Sequence, residues 1–131
     1  MKELVIIASN ETGSLAEVAE ALGKVGVNIE AISAYGLDNK AIFRVITTDA
    51  ATAMKALSKL SMVEKVREAE TIVYRMANNP GELGKITRKL AVKGVSLESL
   101  YIVSRKQDFT EVAIRPAESD MERARAALGI K

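Results

Sequence analysis

Two short loops in the sequence combine residue types that could hold a small charged ligand. Residues 10–15 read Asn-Glu-Thr-Gly-Ser-Leu, and residues 78–83 read Asn-Asn-Pro-Gly-Glu-Leu. In both loops an asparagine carboxamide offers donors and an acceptor, and the glycine allows the backbone to approach a ligand closely. Each loop precedes a segment with helical periodicity, whose first free amides and dipole favour a carboxylate. These residues therefore predict binding of a small molecule that carries a carboxylate.

The two loops belong to an internal duplication. Residues 26–30 (Gly-Val-Asn-Ile-Glu) recur at 94–98 (Gly-Val-Ser-Leu-Glu), at the same offset of 68 residues that separates the loops. Such a repeat predicts two similar modules, which we place at residues 1–68 and 69–131. A glycine before a helix is often only part of a turn, so it is the repetition of the whole motif that favours a ligand site.

The composition is that of an ordinary globular protein and disfavours several classes of function. The 131 residues carry a formal net charge of +2, and no basic stripe of the kind that binds nucleic acid stands out. The chain has no cysteine and no histidine, which removes disulfides, thiolate catalysis and the commonest general base and metal ligand. We therefore expect no enzyme activity, no cofactor and no metal site. The apolar run Leu4–Ala8 is too short for a signal peptide or a membrane span, so we expect a cytoplasmic protein.

Hydrophobic periodicity predicts the order β-α-β-β-α-β in the first module. The predicted elements are a strand at Leu4–Ala8, a helix from Ser14 with Leu15, Val18, Leu22 and Val25 inward, strands at Ile29–Tyr35 and Ala41–Thr47, a helix capped by Asp49, and a strand at Val63–Arg67. Residues 36–40 form the predicted hairpin loop, and residues 68–70 form the predicted linker to the second module.

The second module repeats this pattern but lacks its last strand. Its predicted elements are a strand at Ile72–Met76, a helix from Gly81 with Leu83, Ile86 and Leu90 inward, strands at Ser96–Ser104 and Phe109–Ile114, and a final helix. The strand Ile72–Met76 is thereby left at an exposed edge, and such edges pair readily with other strands. We expect the vacant position to be filled by a strand of the first module or of a partner subunit. A solvated edge is the alternative.

The loops and the Gly-Val-[Asn/Ser]-[Ile/Leu]-Glu segments resemble those of ACT domains, here arranged in tandem over essentially the whole chain. The resemblance implies an α+β fold of two ferredoxin-like βαββαβ modules, the second without its last strand. The second loop, with Pro80, is closer to the family's usual pattern than the first, in which Thr12 stands at that position. The first loop and residues 28–30 also resemble the regulatory small subunit of acetolactate synthase.

The resemblance implies a non-catalytic regulatory protein that senses a small molecule, typically an amino acid, at the loops between modules or subunits. From the unpaired edge strand, the charge pattern and the hydropathy, we also expect a homodimer or higher homo-oligomer without nucleic-acid or membrane partners. The alternative is a regulatory subunit of a separate amino-acid biosynthetic enzyme such as acetolactate synthase. The implied ligand-binding residues lie in the two loops and at the start of the second strand of each module: Asn10, Glu11, Thr12, Gly13, Ser14, Leu15, Asn28, Asn78, Asn79, Pro80, Gly81, Glu82, Leu83 and Ser96.

In serine-sensing members of the family, the loop residue and the strand residue that touch one ligand come from different modules. Asn10 could therefore be paired with Ser96, or Asn78 with Asn28, and the sequence leaves both pairings open. The histidine found in such loops has no counterpart, since an alanine and a methionine stand two residues before the asparagines. Serine is accordingly not singled out as the ligand.

Overall fold

The structure is a computed structural model that describes residues 1–130. The chain divides into two compact units, Met1–Glu70 and Thr71–Lys131. Each unit contains its own antiparallel sheet and two α-helices. The fold class expected from the sequence, α+β with two ferredoxin-like modules, is confirmed. Within residues 1–130, no helix combines the length and the apolar composition that crossing a membrane requires.

The first unit contains the complete order βαββαβ. Its elements are β1 (Lys2–Ser9), α1 (Ser14–Lys24), β2 (Ala31–Leu37), β3 (Lys40–Thr47), α2 (Ala50–Leu57) and β4 (Val63–Glu70). The strands form one antiparallel sheet in the order β2-β3-β1-β4. The strand β2 therefore lies at one edge of this sheet. Helix α2 begins after Asp49, whose carboxylate accepts a hydrogen bond from the Thr52 amide, as expected for an N-cap.

The second unit repeats the order up to its second helix. Its elements are β5 (Ile72–Ala77), α3 (Glu82–Val92), β6 (Leu97–Arg105), β7 (Phe109–Pro116), a short 3-10 helix (Glu118–Asp120) and α4 (Met121–Leu128). The three strands are arranged in the order β5-β7-β6. Strand β7 is thus the central strand and corresponds to β3 of the first unit, as β5 corresponds to β1 and β6 to β2.

Strand β5 lies at the edge of the second sheet, as predicted from the missing last strand. Among residues 1–130, β5 pairs only with β7, and the four strands of the first unit form a sheet of their own. The filling of the vacant position, by a strand of the first module or of a partner subunit, stays a prediction.

The hairpin between β2 and β3 is tighter than predicted. Both strands extend into the predicted loop at residues 36–40, and Leu37 pairs with Lys40 across the turn. Only Asp38 and Asn39 remain between the strands, and Asp38 has a φ of 56°. Aspartate tolerates this left-handed conformation better than most residues, so a two-residue turn is possible without glycine.

Strand β4 continues to Glu70, so residues 68–70 belong to the sheet and are not a linker. Lys2 lies opposite Glu70 in the pairing of β1 with β4, and its ammonium nitrogen is 3.5 Å from a carboxylate oxygen of both Glu68 and Glu70. Partial burial opposes ionisation of Glu70, but the ammonium groups of Met1 and Lys2 outweigh it and lower the pKa of Glu70. These attractions favour the additional strand pairs.

Each unit packs its helices against one face of its sheet around a separate core. The two cores are centred on Leu4, Ile6, Val18, Leu22, Phe43 and Leu57 in the first unit, and on Ile72, Ile86, Leu90, Val112, Ile114 and Leu128 in the second. Leu15, Val25 and Leu83 were predicted to face inward, but Leu15 and Leu83 are each 40% exposed and Val25 is 46% exposed. Leu15 and Leu83 lie in the first turn of their helices, and Val25 follows the last residue of α1. Leu15 thus lies beside the loop that precedes α1.

The other face of the first sheet carries a buried ion pair. Arg44 Nη1 donates to Glu3 Oε1 at 3.3 Å, and the exposed fractions of the Arg44 and Glu3 side chains are 15% and 0%. The two residues are diagonal neighbours on adjacent strands, since Glu3 pairs with Ile46 and Arg44 pairs with Val5. The strand periodicity alone does not reveal this pair, because it depends on the register between β1 and β3.

Candidate functional site

The first loop leads directly from β1 into α1. Gly13 precedes the helix with a φ of 91°, a left-handed conformation that a residue without a Cβ atom adopts readily. The Ser14 amide donates to the Glu11 carbonyl at 3.1 Å, and the Ser14 hydroxyl donates to the Ser9 carbonyl at 2.9 Å. Ser14 is buried, and the hydrogen bond from its hydroxyl joins the start of α1 to the end of β1. This hydrogen bond stabilises the conformation of the loop.

The first turn of α1 leaves backbone donors available. Among residues 1–130, the amides of Leu15 and Ala16 have no acceptor within the protein, whereas the Glu17 amide donates to the Gly13 carbonyl at 2.9 Å. Free amides at a helix N-terminus act together with the helix dipole to attract an anion. Two adjacent free amides suit the two oxygens of a carboxylate.

The β2–β3 hairpin holds Asn10 in place. The Asn10 amide donates to the Asn39 carbonyl at 3.0 Å, and Asn10 Nδ2 donates to the Asp38 carbonyl at 3.4 Å. The carboxamide lies over Gly36, where an added Cβ atom would come within 3.0 Å of Nδ2. In the part of the chain that the structure describes, Asn10 Oδ1 accepts no hydrogen bond, so it is available as an acceptor for a ligand.

A cavity of about 360 Å³ lies beside this loop, between the first turn of α1 and the edge strand β2. Its volume is in the range of sites that bind small molecules. Asparagine and glutamate side chains and the helix N-terminus provide polar groups, and alanine, leucine and aromatic side chains provide apolar surface. The lining residues are Asn10, Glu11, Gly13, Ser14, Leu15, Ala16, Ala34, Tyr35, Gly36, Ala41 and Phe43.

The cavity brings together most of the residues predicted from the first loop. Thr12 is not among the lining residues, whereas the other five are: Asn10, Glu11, Gly13, Ser14 and Leu15. Asn28 lies beyond the far end of α1, in the connection to β2. Because α1 has 11 residues and rises about 16 Å along its axis, a small ligand beside Asn10 cannot also contact Asn28 of the same unit.

The far wall of the cavity was not predicted from the sequence. It is formed by Ala34, Tyr35 and Gly36 of β2, and its floor is formed by Ala41 and Phe43 of β3. A glycine inside a strand often marks the close approach of another group. Gly36 was thus the available signal, and the group that approaches it is the carboxamide in the preceding loop.

The second loop repeats the backbone of the first. Gly81 has a φ of 87°, the Asn78 amide donates to the Asp108 carbonyl at 3.3 Å, and Asn78 Nδ2 donates to the Lys106 carbonyl at 2.8 Å. Glu82 stands in the place of Ser14, and its carboxylate lies 3.1 Å from the ammonium of Lys85. The remaining predicted residues of this loop, Asn79, Pro80 and Leu83, are exposed.

Ser96 occupies the position in the second unit that Asn28 occupies in the first. Its amide donates to Asp120 Oδ2 at 2.8 Å, and the buried Asp120 also pairs with Arg123. This contact ties the start of β6 to the start of α4. Like Asn28, Ser96 is separated from the loop of its own unit by the length of a helix, so neither strand residue joins the loop of its own unit.

Comparisons with known proteins identify the family to which this chain belongs. The ACT domain model matches residues 2–61. Protein BT0572 from Bacteroides thetaiotaomicron is 30% identical over 98% of this chain and 85% of its own chain, with a TM-score of 0.84. The regulatory subunit of aspartate kinase from Thermus thermophilus is 18% identical (98% and 90% covered, TM-score 0.74), and that from Thermus flavus is 17% identical (98% and 90% covered, TM-score 0.67).

These matches differ in what they establish. At 18% and 17% identity, the two aspartate kinase subunits show a likeness of fold alone. No curated protein matches the chain significantly. The family model covers most of the first unit, including the loop and the cavity, and the 30% identical structure extends the likeness through the second unit. The resemblance seen in the duplicated loops is therefore confirmed, and the chain belongs to the ACT-domain family.

Proposed function

We propose that this protein is a non-catalytic regulatory protein that binds an amino acid at the loop between β1 and α1 of the first unit. The observation that carries the proposal is the cavity of about 360 Å³ beside that loop. Around it lie two free backbone amides, a free carboxamide oxygen and the carboxylate of Glu11. A regulatory role is supported by the shared fold with regulatory subunits of aspartate kinase.

An amino acid matches the groups around this cavity. Its carboxylate accepts hydrogen bonds from the amides of Leu15 and Ala16, where the helix dipole favours a negative charge. Its ammonium group donates to Asn10 Oδ1 and lies near the Glu11 carboxylate, which compensates the positive charge. The apolar floor of the cavity then receives the ligand's side chain, so an aliphatic side chain of modest size fits best.

A thermal-shift screen of the twenty common amino acids tests this proposal. We expect at least one of them to stabilise the protein, by about 2.7 kcal/mol when its concentration is one hundred times its dissociation constant. The matched control is the amine that corresponds to the same amino acid without its carboxylate, which should give no shift. If no amino acid shifts the midpoint, the proposed function is wrong.

The position of the cavity is suited to the control of an assembly. Strand β2 is an edge strand, and the loop on the other side of the cavity is exposed, so a second subunit can approach the bound ligand. A ligand shifts such an equilibrium only by the difference between its affinities for the two states. In this proposal the strand residue that completes the site comes from another subunit, and its identity, Asn28 or Ser96, stays open.

The charges on α1 and α3 favour a homo-oligomer. Glu17 and Glu20 of α1 correspond, at the offset of 68 residues, to Lys85 and Arg88 of α3, and all four residues are exposed. Opposite charges at equivalent positions favour contact between α1 of one copy and α3 of another. In a two-fold symmetric dimer each such contact occurs twice.

Charge reversal on α1 tests this assembly. We expect the double variant Glu17→Lys, Glu20→Arg to weaken self-association about tenfold or more, because like charges then face each other, and we expect Lys85→Glu with Arg88→Glu in the same chain to restore it. Sedimentation equilibrium measures the association constant. The control variant Glu118→Lys, Glu122→Lys changes the net charge equally at exposed positions outside both helices and should leave association unchanged. A wild-type chain that stays monomeric at every concentration would contradict the assembly.

The alternative function is that of a regulatory subunit acting on a separate enzyme of amino-acid synthesis, such as an aspartate kinase or acetolactate synthase. The two Thermus neighbours favour it, because they are regulatory subunits themselves. Affinity purification from the native cell distinguishes the two functions. Stoichiometric co-purification of a biosynthetic enzyme supports the alternative, and an isolated homo-oligomer that binds an amino acid supports the independent sensor.

A further inference from the structure

The two units differ in the strand that faces the loop. In the first unit the wall positions are Ala34, which pairs with Phe43, and Gly36, which pairs with Ala41. Phe43 and Ala41 in turn pair with Ile6 and Ala8 of β1. Directly paired residues project from the same face of a sheet, so the two small wall residues lie on the face that carries the helices.

The equivalent wall positions in the second unit follow from the strand pairing. Val112 and Thr110 of β7 pair with Tyr74 and Met76 of β5, as Phe43 and Ala41 pair with Ile6 and Ala8 in the first unit. The partners of Val112 and Thr110 in β6 are Ile102 and Arg105. A branched aliphatic side chain and a long cation therefore replace an alanine and a glycine.

A bulge in β6 produces this exchange. The register of β6 against β7 shifts between Ile102 and Ser104, which leaves Val103 as the extra residue of a bulge. The constant offset of 68 residues would place Ser104 at the position of Gly36. Instead Ser104 pairs with Glu111, and Arg105 takes the wall position opposite Thr110. At this wall position the second unit therefore has the large side chain of Arg105 where the first unit has Gly36. The backbone conformation of the preceding loop is the same in both units.

A side chain at this wall position acts on the asparagine of the loop. Above Gly36, a Cβ atom would lie 3.0 Å from Nδ2 of Asn10 and 3.6 Å from its Cγ, so the carboxamide must shift by a few tenths of an ångström to admit a larger residue. In the second unit Asn78 is half-buried where Asn10 is exposed, and its Nδ2 lies 2.8 Å from the hairpin carbonyl instead of 3.4 Å.

Arg105 also brings a positive charge to the wall position of the second unit, where the first unit has an uncharged glycine. Like charges repel, so this wall disfavours the ammonium group of an amino acid. Ile102 takes the position in β6 that the smaller Ala34 takes in β2, and its side chain is 55% exposed. Both replacements disfavour the ligand that suits the first cavity.

We infer that only the first of the two duplicated loops binds an amino acid, and that the second is a structural copy closed by Ile102 and Arg105. Each chain then holds one ligand molecule. The inference rests on the proposed function and goes beyond it, since the two loops share a backbone conformation while the edge strands beside them carry different residues.

Equilibrium dialysis counts the sites even when the identity of the bound amino acid is not known. The protein is dialysed against an equimolar mixture of the twenty common amino acids, and the bound amino acids are then measured by amino-acid analysis. The inference predicts saturation at one mole per mole of chain. Saturation at two moles would overturn it while leaving the proposed function intact. If nothing binds, the proposed function fails and the inference fails with it.

A matched pair of variants shows which loop is occupied. Gly36→Arg places the residue of the second wall in the first, and we expect bound amino acid to fall at least tenfold. Arg105→Gly makes the reverse exchange and should leave the first mole of binding in place. The three atoms nearest to a Cβ atom at position 36 all belong to the flexible Asn10 side chain, so the fold should persist, and circular dichroism and thermal unfolding verify this.

A second variant with a smaller change of side-chain volume keeps the inference testable if Gly36→Arg does not fold. Ala34→Ile introduces the other wall residue of the second unit at a strand position where β-branched residues are favoured, and it should also reduce bound amino acid. Retention of binding by both Gly36→Arg and Ala34→Ile would overturn the inference. Loss of binding on Asn78→Ala, with Asn10→Ala still binding, would do the same.

Discussion

Replacing Gly13 with valine is expected to abolish amino-acid binding while the chain stays folded. Gly13 has a φ of 91°, a conformation that costs a β-branched residue about 1–3 kcal/mol. No atom lies within 4 Å of the position that a Cβ would occupy, so the substitution acts through the backbone and not through a clash. To relieve the strain the loop must rotate, and this moves the free amides of Leu15 and Ala16 away from the carboxylate site.

The measurement is the ligand-induced stabilisation of each variant in the thermal-shift assay. The gain of about 2.7 kcal/mol expected for the wild type at one hundred times the dissociation constant should vanish in Gly13→Val. Gly81→Val is a closely matched control, because Gly81 has a φ of 87° and also precedes a helix of 11 residues. It should lose a similar amount of stability and keep its response to the amino acid. Equal responses of the two variants would contradict the assignment of the site to the first loop.

The substitution Arg44→Met is expected to lower the free energy of unfolding, and this is the second large effect. Removal of one partner from a buried ion pair leaves the other charge in a poorly solvated place, which typically costs about 3–5 kcal/mol. Glu3 is fully buried and Arg44 is 15% exposed, so we expect the loss of stability in Arg44→Met to lie near the lower end of this range. Methionine keeps much of the length and apolar volume of arginine, so the loss of stability comes mainly from removal of the charge and less from lost packing.

The matched test is the double variant Glu3→Leu, Arg44→Met. An apolar pair of similar volume often replaces a buried ion pair at little cost, so the double variant should recover most of the stability lost in the single one. Urea unfolding measures the free energies of unfolding of the wild type, of the single variants Glu3→Leu and Arg44→Met, and of the double variant. The cycle formed by these four proteins gives the coupling between the two residues. A loss below about 1 kcal/mol in Arg44→Met would show that solvent screens this pair as it does at an exposed site.

The loops and the order of elements were predictable because they depend on local features. Both glycines at residues 13 and 81 occur where a positive φ is required before a helix, and residues with this preference are recognisable in sequence. The centres of α1 and α3 were also predictable, since Val18, Leu22, Ile86 and Leu90 follow the helical period. The duplication made each of these local signals stronger by repeating it at a constant offset.

The features that the sequence did not predict correctly are those that depend on the pairing of neighbouring strands. The hairpin at Asp38 and Asn39 and the extension of β4 to Glu70 both depend on which residues pair across strands. The same is true of the ion pair between Glu3 and Arg44. A strand pattern of period two tells which residues share a face, but it does not tell which residues of the neighbouring strand lie beside them.

The duplicated loops show most clearly the difference between local sequence information and information that arises only when the strands pair. Residue types in the loops were enough to identify the family and to name Asn10 and Asn78 as equivalents, because loop conformation is a local property; the carboxylate ligand that they indicate stays a prediction. Their environments differ for a reason that lies in another part of the chain. A bulge near Val103 shifts β6 by one residue and brings Arg105 to the position that Gly36 holds beside Asn10. That difference depends on strand register, which is established only when the sheet forms.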